Sequence, residues 1–335
     1  MEYTIERNVA VSAVLKACRL CRSVQGALVS PQTLSKKDKS PVTVADFGSQ
    51  AVISAQLRAA FPTVPLVGEE DAAELRRDVN AELREKVVHH VNAVMPGQSS
   101  EQVLEAIDHG TYSGGPTGRH WTLDPIDGTK GFLRGDQYAI ALALIRQGQV
   151  VLGVLGCPNL PLDAGRADGL RGCLFVAVKD QGTTVRSLDD PAESPIQVTH
   201  IDDSAAASFC ESVESAHSKH SDSQKVAQLL GVTAPPFRID SQCKYAAVAR
   251  GDSSIYLRLP TRADYQEKIW DHAAGQMVVT EAGGRVTDIT GQPLDFSLGR
   301  TLSNNKGVVA TNGRLHAPVL DALGSVLAGN ADATQ

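Results

Sequence analysis

The sequence predicts a two-domain protein of the mixed α+β and α/β class, in which helices and sheets pack in layers. Three observations support this prediction. The chain has 335 residues, which is enough to bury the cores of two subdomains. Helical patterns precede a pair of apolar strands in the first half, whereas strands and helices alternate in the second half. A polar stretch around 200–203 separates the two patterns, so we expect domains over residues 1–200 and 201–335.

The first half is predicted to open with two helices, because its apolar residues recur at helical spacing. A later run, residues 139–156, is almost wholly apolar, and Gln147-Gly148 at its centre predicts a tight turn between two buried strands. In chain order the predicted elements are helix 4–29, helix 46–60, strand 64–67, a partly helical polar stretch 71–118, the strand pair within 139–156, and strands near 172–178 and 195–199.

The second half alternates more regularly and therefore predicts an α/β layer. Its predicted elements are strand 206–211, helix 222–230, strand 236–239, helix 242–250, strand 254–259 and helix 270–282. Gly283-Gly284 is expected to stop the last helix, because glycine readily takes the left-handed conformation that ends helices.

Composition argues against several classes of protein. The net charge of −6 disfavours a nucleic-acid polymer as partner, because phosphate backbones are bound by basic surfaces. No apolar stretch is long enough to cross a membrane, and the N-terminus lacks the basic start and apolar segment of a secretion signal. The six cysteines fit reduced thiols that fill core space. We therefore expect a cytoplasmic monomer whose partner is a small molecule.

The most informative motif is Asp-Pro-Ile-Asp-Gly-Thr, which contains Asp124, Asp127, Gly128 and Thr129. The proline that follows Asp124 disfavours the α conformation there, so we expect a strand to end at this acid. Gly128 allows a sharp turn, and Thr129 is suited to cap a helix that starts next.

This motif offers oxygen ligands and a helix start within a few residues. The two carboxylates and the carbonyl of Ile126 suit a hard divalent cation, whereas free N–H groups at a helix start suit phosphate. A plain polar turn is the ordinary alternative for such a string. The apolar run at 139–156 favours the metal site, because a surface turn seldom lies between core elements.

Three further acids occupy positions of the same kind. Glu69 follows a short apolar strand, Asp271 lies at the start of a predicted helix, and Asp46 precedes a helix predicted to begin at Phe47. Each has an ordinary alternative. Glu69 could form a solvated acid pair with Glu70, Asp271 could be an acid that the helix dipole favours at a helix start, and Asp46 could be a simple N-cap.

Three strings together resemble the signature of the inositol monophosphatase superfamily of Mg-dependent, lithium-sensitive phosphatases. They are Gly-Glu-Glu at 68–70, Asp-Pro-Ile-Asp-Gly-Thr at 124–129 and Trp-Asp-His-Ala-Ala-Gly at 270–275, in the family's order. The resemblance covers nearly the whole chain and is weakest over 71–118 and 285–306. It implies a layered αβαβα sandwich of the inositol monophosphatase / fructose-1,6-bisphosphatase type.

Further strings resemble the branch that removes the 3′-phosphate of adenosine 3′,5′-bisphosphate (PAP). They include Ser-Pro-Val-Thr-Val-Ala-Asp at 40–46, Asp-Ser-Gln-Cys-Lys-Tyr at 240–245 and Tyr-Gln-Glu-Lys-Ile-Trp-Asp at 265–271. The resemblance implies hydrolysis of PAP to AMP in sulfate assimilation. It also makes the sulfated analogue of PAP and inositol bisphosphates candidate substrates.

The resemblance further implies roles for individual residues. Two or three Mg²⁺ ions would be held by Glu69, Asp124, Asp127, Asp271 and the carbonyl of Ile126. Asp46 and Thr129 would position and deprotonate the attacking water. The substrate would be bound by Gly128, Thr129, His217, Ser241, Lys244, Arg258 and Asp271. The motif favours Glu69 over Glu70 as the direct ligand.

Two alternatives stay open at this point: an inositol (poly)phosphate 1-phosphatase, and a nucleotide sensor that has lost catalysis. Arg258 is flanked by Leu257 and Leu259 in a predicted strand and therefore needs an anionic partner. The sequence does not separate a substrate phosphate from a protein carboxylate. Lys244 could pair with surface acids in the same way, and His217 could be an ordinary surface histidine.

Overall fold

The structure, a computed structural model, describes residues 2–28, 40–165, 169–213, 220–262 and 264–332. Its helices are α1 (Thr4–Leu28), α2 (Ser40–Ala60), α3 (Ala81–Val94), α4 (Ser100–Asp108), α5 (Thr129–Arg134), α6 (His220–Leu229), α7 (Cys243–Arg250), α8 (Ala273–Glu281) and α9 (His316–Asp332). Its strands are β1 (Leu66–Gly68), β2 (Arg119–Asp127), β3 (Ala139–Arg146), β4 (Gln149–Pro161), β5 (Arg171–Val178), β6 (Thr183–Ser187), β7 (Ser194–Ile196), β8 (Phe209–Glu211), β9 (Phe237–Arg238), β10 (Ile255–Arg258), β11 (Arg285–Thr287) and β12 (Val308–Thr311).

The strands form two sheets. The first runs in chain order from β1 to β7 and is antiparallel except for the β1–β2 pair. The second has the order β11-β12-β10-β8-β9, with β8 parallel to both of its neighbours. The β3–β4 turn was predicted correctly: Gln147 and Gly148 have φ of 52° and 72°, the positive values that a two-residue hairpin favours.

The described elements pack in five layers. Helices α1 and α2 cover one face of the first sheet, and α7 and α8 cover its other face, where they also contact the second sheet. Helices α6 and α9 pack against each other on the outer face of the second sheet. This arrangement confirms the layered αβαβα sandwich.

The first sheet brings α8 close because it presents small residues to that helix. Along β3, alanines face α8 while larger aliphatic side chains face α1 and α2. On β4, a Cβ added to Gly153 would lie 2.8 Å from the carbonyl oxygen of Ala274 in α8, so the helix could not pack this closely against a larger residue. A 3₁₀ turn, Ile269–Asp271, precedes α8 and contacts β2 and β3. Asp271 is thereby placed at the sheet.

The local structure around two predicted site residues differs from expectation. Helix α2 begins at Ser40, so Asp46 lies inside the helix and is not its N-cap. The β-branched run that indicated a strand is helical because Val42 and Val44 are buried in the core, and packing outweighs propensity. Strand β2 does not end at Asp124 but continues to Asp127, with a shift in its pairing with β3 between these two residues. Proline has no N–H to donate, so the ladder is interrupted while the backbone stays extended.

Several elements were missed or misplaced. Strand β6 was not predicted, and β7 ends at Ile196 rather than near 199. Strands β11 and β12 and helix α9, all beyond residue 284, were not predicted either. All six cysteines are buried and unpaired, as expected. Within the described residues, no helix combines the length and apolar character needed to cross a bilayer. The domain boundary after residue 200 stays a prediction.

Candidate active site

A cavity of about 450 Å³ gathers most of the predicted site residues. Its lining includes Glu69, Asp124, Ile126, Asp127, Gly128, Thr129, Ser241, Lys244, Arg258 and Asp271. Asp46 is not part of this lining, and His217 lies outside the described residues. The lining comes from β2 and the residue that follows β1 in one sheet, from β10 in the other, and from α5, α7 and the turn before α8. The cavity is therefore formed where the two sheets and the central helix layer meet.

The sharp turn after β2 depends on Gly128. Its φ of 91° and ψ of 43° lie in the left-handed region, and an added Cβ would be 2.8 Å from the Cβ of Ser241. Gly128 occupies the cap position of α5, so Thr129 is the first helical residue and not the cap. Ser49 of α2 donates a hydrogen bond of 3.1 Å to the carbonyl of Pro125 and supports the same turn.

The turn before α7 faces this motif from the C-terminal half. The backbone N–H of Gln242 donates a 2.5 Å hydrogen bond to Asp127 Oδ2. Ser241 has a φ of 65°, a conformation that is uncommon for a residue with a side chain. Such strained residues persist where the surrounding structure fixes them and are frequent at functional sites. Asp127 and Ser241, predicted as ligand and substrate contact, are thus neighbours across the cavity.

Glu69 follows β1 directly, as expected, and its segment is fixed by Gln50 of α2. The buried amide of Gln50 donates to the carbonyl of Glu70 at 2.6 Å and accepts from the N–H of Glu70 at 3.1 Å. Glu69 itself keeps part of its surface exposed at the cavity. Loss of water contact, followed by the charges of Glu70 and Asp127, raises the pKa of Glu69 to about 7.

Asp124 is the acid with the strongest need for a cation. It is 2% exposed, and its Oδ1 atom has no hydrogen-bond partner among the described residues. Burial, then the charges of Glu69 and Asp127, raises the pKa of Asp124 well above its ordinary value. A buried carboxylate without a partner is costly, and a bound cation would remove that cost.

Asp271 and Asp46 belong to the same acidic group. Burial raises the pKa of Asp271 to about 7, although the charge of Arg258 opposes this change. Burial, together with the charges of Glu70 and Glu69, raises the pKa of Asp46. Acids from four separate stretches of the chain therefore affect one another's ionisation.

The donor set fits a hard divalent cation. The candidate ligands offer only carboxylate and carbonyl oxygens, which Mg²⁺ prefers, whereas zinc sites usually contain nitrogen or sulfur. A second group, Glu267, Asp271 and His272, also places possible ligand atoms close together, but Glu267 already contacts both His272 and Arg258. Glu267 Oε2 lies 3.0 Å from His272 Nε2 and 2.8 Å from Arg258 Nη2.

The structure shows different surroundings for Arg258 and Lys244, whose anionic partners the sequence could not identify. Arg258 is held by protein carboxylates, since its Nη2 lies 2.8 Å from Glu267 and 3.5 Å from Asp271. Lys244 is 4% exposed and lines the cavity, yet no described carboxylate forms an ion pair with it. Its Nζ lies 5.3 Å from the centre of the Tyr256 ring. Burial lowers the pKa of Lys244 because it disfavours the charged ammonium, and an anion that entered the cavity would favour the charged form again.

Sequence reasoning missed several residues that build the site. Glu267 and the exposed Tyr265, which lines the cavity, lie in a string quoted for the resemblance but were given no role. Gln50 and Arg300 act through backbone groups distant in the sequence, and no local pattern marks them.

Comparison with known proteins identifies the class to which this fold and site belong. The model of the inositol monophosphatase family matches residues 3–328, so the chain belongs to this family. Solved structures share the fold: inositol monophosphatase from Anabaena has a TM-score of 0.62 at 20% identity, with 97% of each chain covered. The Thermotoga maritima IMPase has the same TM-score and identity, with 96% of this chain and 98% of that one covered.

More similar relatives carry a narrower name. A rice protein named 3′(2′),5′-bisphosphate nucleotidase is 50% identical, covering 96% of this chain and 94% of its own length. A Schizosaccharomyces pombe protein of the same name is 45% identical and covers 97% of both chains. The Emericella nidulans protein, also so named, is 47% identical, covering 98% of this chain and 99% of its own.

Proposed function

We propose that this chain is a Mg²⁺-dependent phosphatase that hydrolyses the 3′-phosphate of adenosine 3′,5′-bisphosphate and releases AMP. The observation that carries the proposal is the pairing of two features in one cavity. One feature is a cluster of acids that includes Asp124, whose buried Oδ1 has no hydrogen-bond partner among the described residues. The other is Lys244, a buried cation in the same lining that has no carboxylate partner in the described part of the chain. Three relatives at 45–50% identity that bear the nucleotidase name support the choice of substrate.

The residues that would hold two or three Mg²⁺ ions are Glu69, Asp124, Asp127, Asp271 and the Ile126 carbonyl. Bound metal would supply a nucleophilic water at neutral pH and compensate charge on the phosphoryl oxygens. The protein's own contribution is to hold the ligand oxygens in place. Gln50 does so for the Glu69 segment, and the N–H of Gln242 does so for Asp127.

Asp46 and Thr129 are the residues that we assign to the attacking water. Thr129 lines the cavity at the start of α5, where its hydroxyl is exposed to a ligand. The raised pKa of Asp46 makes its carboxylate a stronger proton acceptor than an ordinary aspartate. Thr129 would orient the water, and Asp46 would accept its proton.

Substrate binding is assigned to the side of the cavity formed by α7 and β10. Lys244 would bind the 5′-phosphate directly, because a cation without a protein partner gains most from an anionic ligand. Arg258, already paired with Glu267, would add positive charge beside it. Gly128, Ser241 and Asp271 complete the proposed contacts, and His217 is assigned by resemblance only.

A phosphate-release assay tests the proposal. PAP, AMP, inositol 1-phosphate and inositol 1,4-bisphosphate would be compared in Mg²⁺ and in EDTA. We expect release from PAP only with Mg²⁺, a product that retains its 5′-phosphate, and slower turnover of the inositol phosphates. Asp124→Asn should lose nearly all phosphate release, whereas Asp288→Asn, a buried acid that does not line the cavity, should stay active. Equal rates in EDTA, or faster turnover of an inositol phosphate, would contradict the proposal.

A further inference from the structure

Arg300 connects the segment that carries Glu69 to the segment that carries Asp271. Its guanidinium donates hydrogen bonds to three backbone carbonyls on the Glu69 side. Nη2 donates to Gly68 at 2.6 Å, and Nη1 donates to Tyr112 at 3.1 Å and Gly110 at 3.4 Å. Gly68 immediately precedes Glu69, so the shortest of these bonds acts on the residue next to a proposed metal ligand.

The backbone around Arg300 is hydrogen-bonded to the segment that carries Asp271. The carbonyl of Arg300 accepts a 3.2 Å hydrogen bond from the N–H of Ile269, and the N–H of Leu302 donates to the carbonyl of Glu267 at 2.8 Å. The guanidinium also lies over the ring of Trp270, 4.7 Å from its centre. Trp270 precedes Asp271, so the same arginine contacts the residue before each of the two proposed ligands.

Arginine is suited to this connection for chemical reasons. A planar guanidinium can direct several N–H donors at fixed angles and stack on an aromatic ring at the same time. Lysine would keep the charge but would not reproduce the planar fork. Arg300 does not line the cavity, and no described carboxylate lies within ion-pair distance of it, although its charge opposes the rise in the pKa of Glu69. Its hydrogen bonds therefore bear on backbone geometry.

We propose that Arg300 is a positioning residue that fixes the distance between the Glu69 and Asp271 carboxylates and thereby maintains affinity for the divalent cation. The inference rests on the proposed function, because it requires that these two acids bind the same metal group. Metal sites depend on such supporting contacts, whose loss typically weakens metal binding about 10- to 100-fold.

Arg250 offers a matched control. It is a partly buried arginine whose Nη1 also donates to two carbonyls, Pro161 at 2.8 Å and Leu162 at 3.1 Å, and it pairs with Asp252. It connects α7 to the end of β4 and does not line the cavity. Arg250→Met should therefore lower stability without changing the metal site.

The test compares wild type, Arg300→Met, Arg300→Lys and Arg250→Met. Mg²⁺ binding is measured by calorimetry without substrate, thermal unfolding in EDTA reports stability, and phosphate release from PAP is titrated with Mg²⁺. For Arg300→Met we expect the Mg²⁺ dissociation constant to rise about 10- to 100-fold. Turnover at saturating Mg²⁺ should stay within a fewfold of wild type. Arg300→Lys should fall between the two, and Arg250→Met should bind Mg²⁺ as tightly as wild type.

Two results would overturn the inference. One is wild-type Mg²⁺ affinity in Arg300→Met, with only its unfolding temperature lowered. The other, which applies if Arg300→Met does not fold, is wild-type affinity in the folded Arg300→Lys protein. Failure of the proposed function looks different: wild type itself would then bind no Mg²⁺ or release no phosphate, and the inference would fall with it.

Discussion

Replacing Asp271 by asparagine should stabilise the metal-free protein while abolishing its response to Mg²⁺. Burial, together with the charges of Asp127 and Glu69, raises the pKa of Asp271 to about 7 from an ordinary value of 3.8. Its side chain is 18% exposed, so little water screens it. The folded state therefore holds a proton that the unfolded state releases, and stability falls as the pH rises from about 4 to 7.

The magnitude follows from the two pKa values. At pH 8 both states are ionised, and the difference corresponds to roughly 4 kcal/mol of destabilisation. At pH 5 it is roughly 2 kcal/mol, because only the unfolded state is then largely ionised. Asparagine has nearly the same shape and no charge, so Asp271→Asn should stabilise the metal-free protein by about the amounts given for each pH. Arg258 keeps its closer partner Glu267 at 2.8 Å in the variant.

Urea unfolding in metal-free buffer measures this effect. We expect Asp271→Asn to be more stable than wild type, with a difference that grows from pH 5 to pH 8. Added Mg²⁺ should stabilise wild type and leave the variant unchanged. The reasoning would be refuted if Asp271→Asn were less stable than wild type at pH 8 without metal.

Asp288→Asn is a control for which we expect the opposite change in stability. This buried carboxylate accepts hydrogen bonds from Thr290, Gln292 and Asn305. These contacts lower the pKa of Asp288 despite its burial. Its replacement should therefore destabilise the protein at neutral pH, with or without Mg²⁺.

Three further predictions concern other parts of the molecule. Lys244→Met should raise KM for PAP about 10- to 100-fold with little change in kcat, because a charged hydrogen bond to the 5′-phosphate is lost. Gly128→Ala should lower both stability and activity, because its positive φ and the nearby Ser241 leave no room for a Cβ. His316→Gln should reduce the fall in the free energy of unfolding between pH 6.5 and 4, since burial lowers the pKa of His316 to about 4. In wild type at pH 5, unfolding then takes up about one proton at this residue.

Each of these has a simple control. Kinetics with adenosine 3′-monophosphate, which has no 5′-phosphate, should not distinguish Lys244→Met from wild type. Gly135→Ala also introduces a side chain at positive φ, 75°, but nothing lies within 4 Å of the new Cβ, so activity should persist. For His316→Gln, the free energy of unfolding is measured against pH, and an unchanged slope between pH 6.5 and 4 would contradict the assignment.

The part of the site that sequence could predict depends on short-range chemistry. The sharp turn at Gly128, the place of Glu69 directly after a strand and the place of Asp271 just before a helix depend on adjacent residues, and these local structures were predicted correctly. The continuous apolar run at 139–156 likewise predicted β3 and the start of β4, and the order of strands and helices in the second half predicted α7 and β10 to within a few residues. Local sequence determines these features because turns and buried strands impose their own residue preferences.

The remainder depends on contacts between distant residues. Helix α2 includes Asp46 because Val42 and Val44 pack into the core, which outweighs their preference for strands. Strands β11 and β12 are short and are fixed by pairing across the second sheet. The hydrogen bond from Arg300 to Gly68 spans 232 positions. No local pattern could have shown these features, and the cytoplasmic, monomeric state stays a prediction.

A crystal structure with Mn²⁺ in place of Mg²⁺ would test the central claim most directly, because anomalous scattering locates that metal. We expect at least two peaks about 3.5–4 Å apart. Oxygens of Glu69, Asp124, Asp127, Asp271 and the Ile126 carbonyl should lie within about 2.3 Å of them. Peaks elsewhere in the molecule, or peaks that leave Glu69 or Asp271 without a metal contact, would contradict the account.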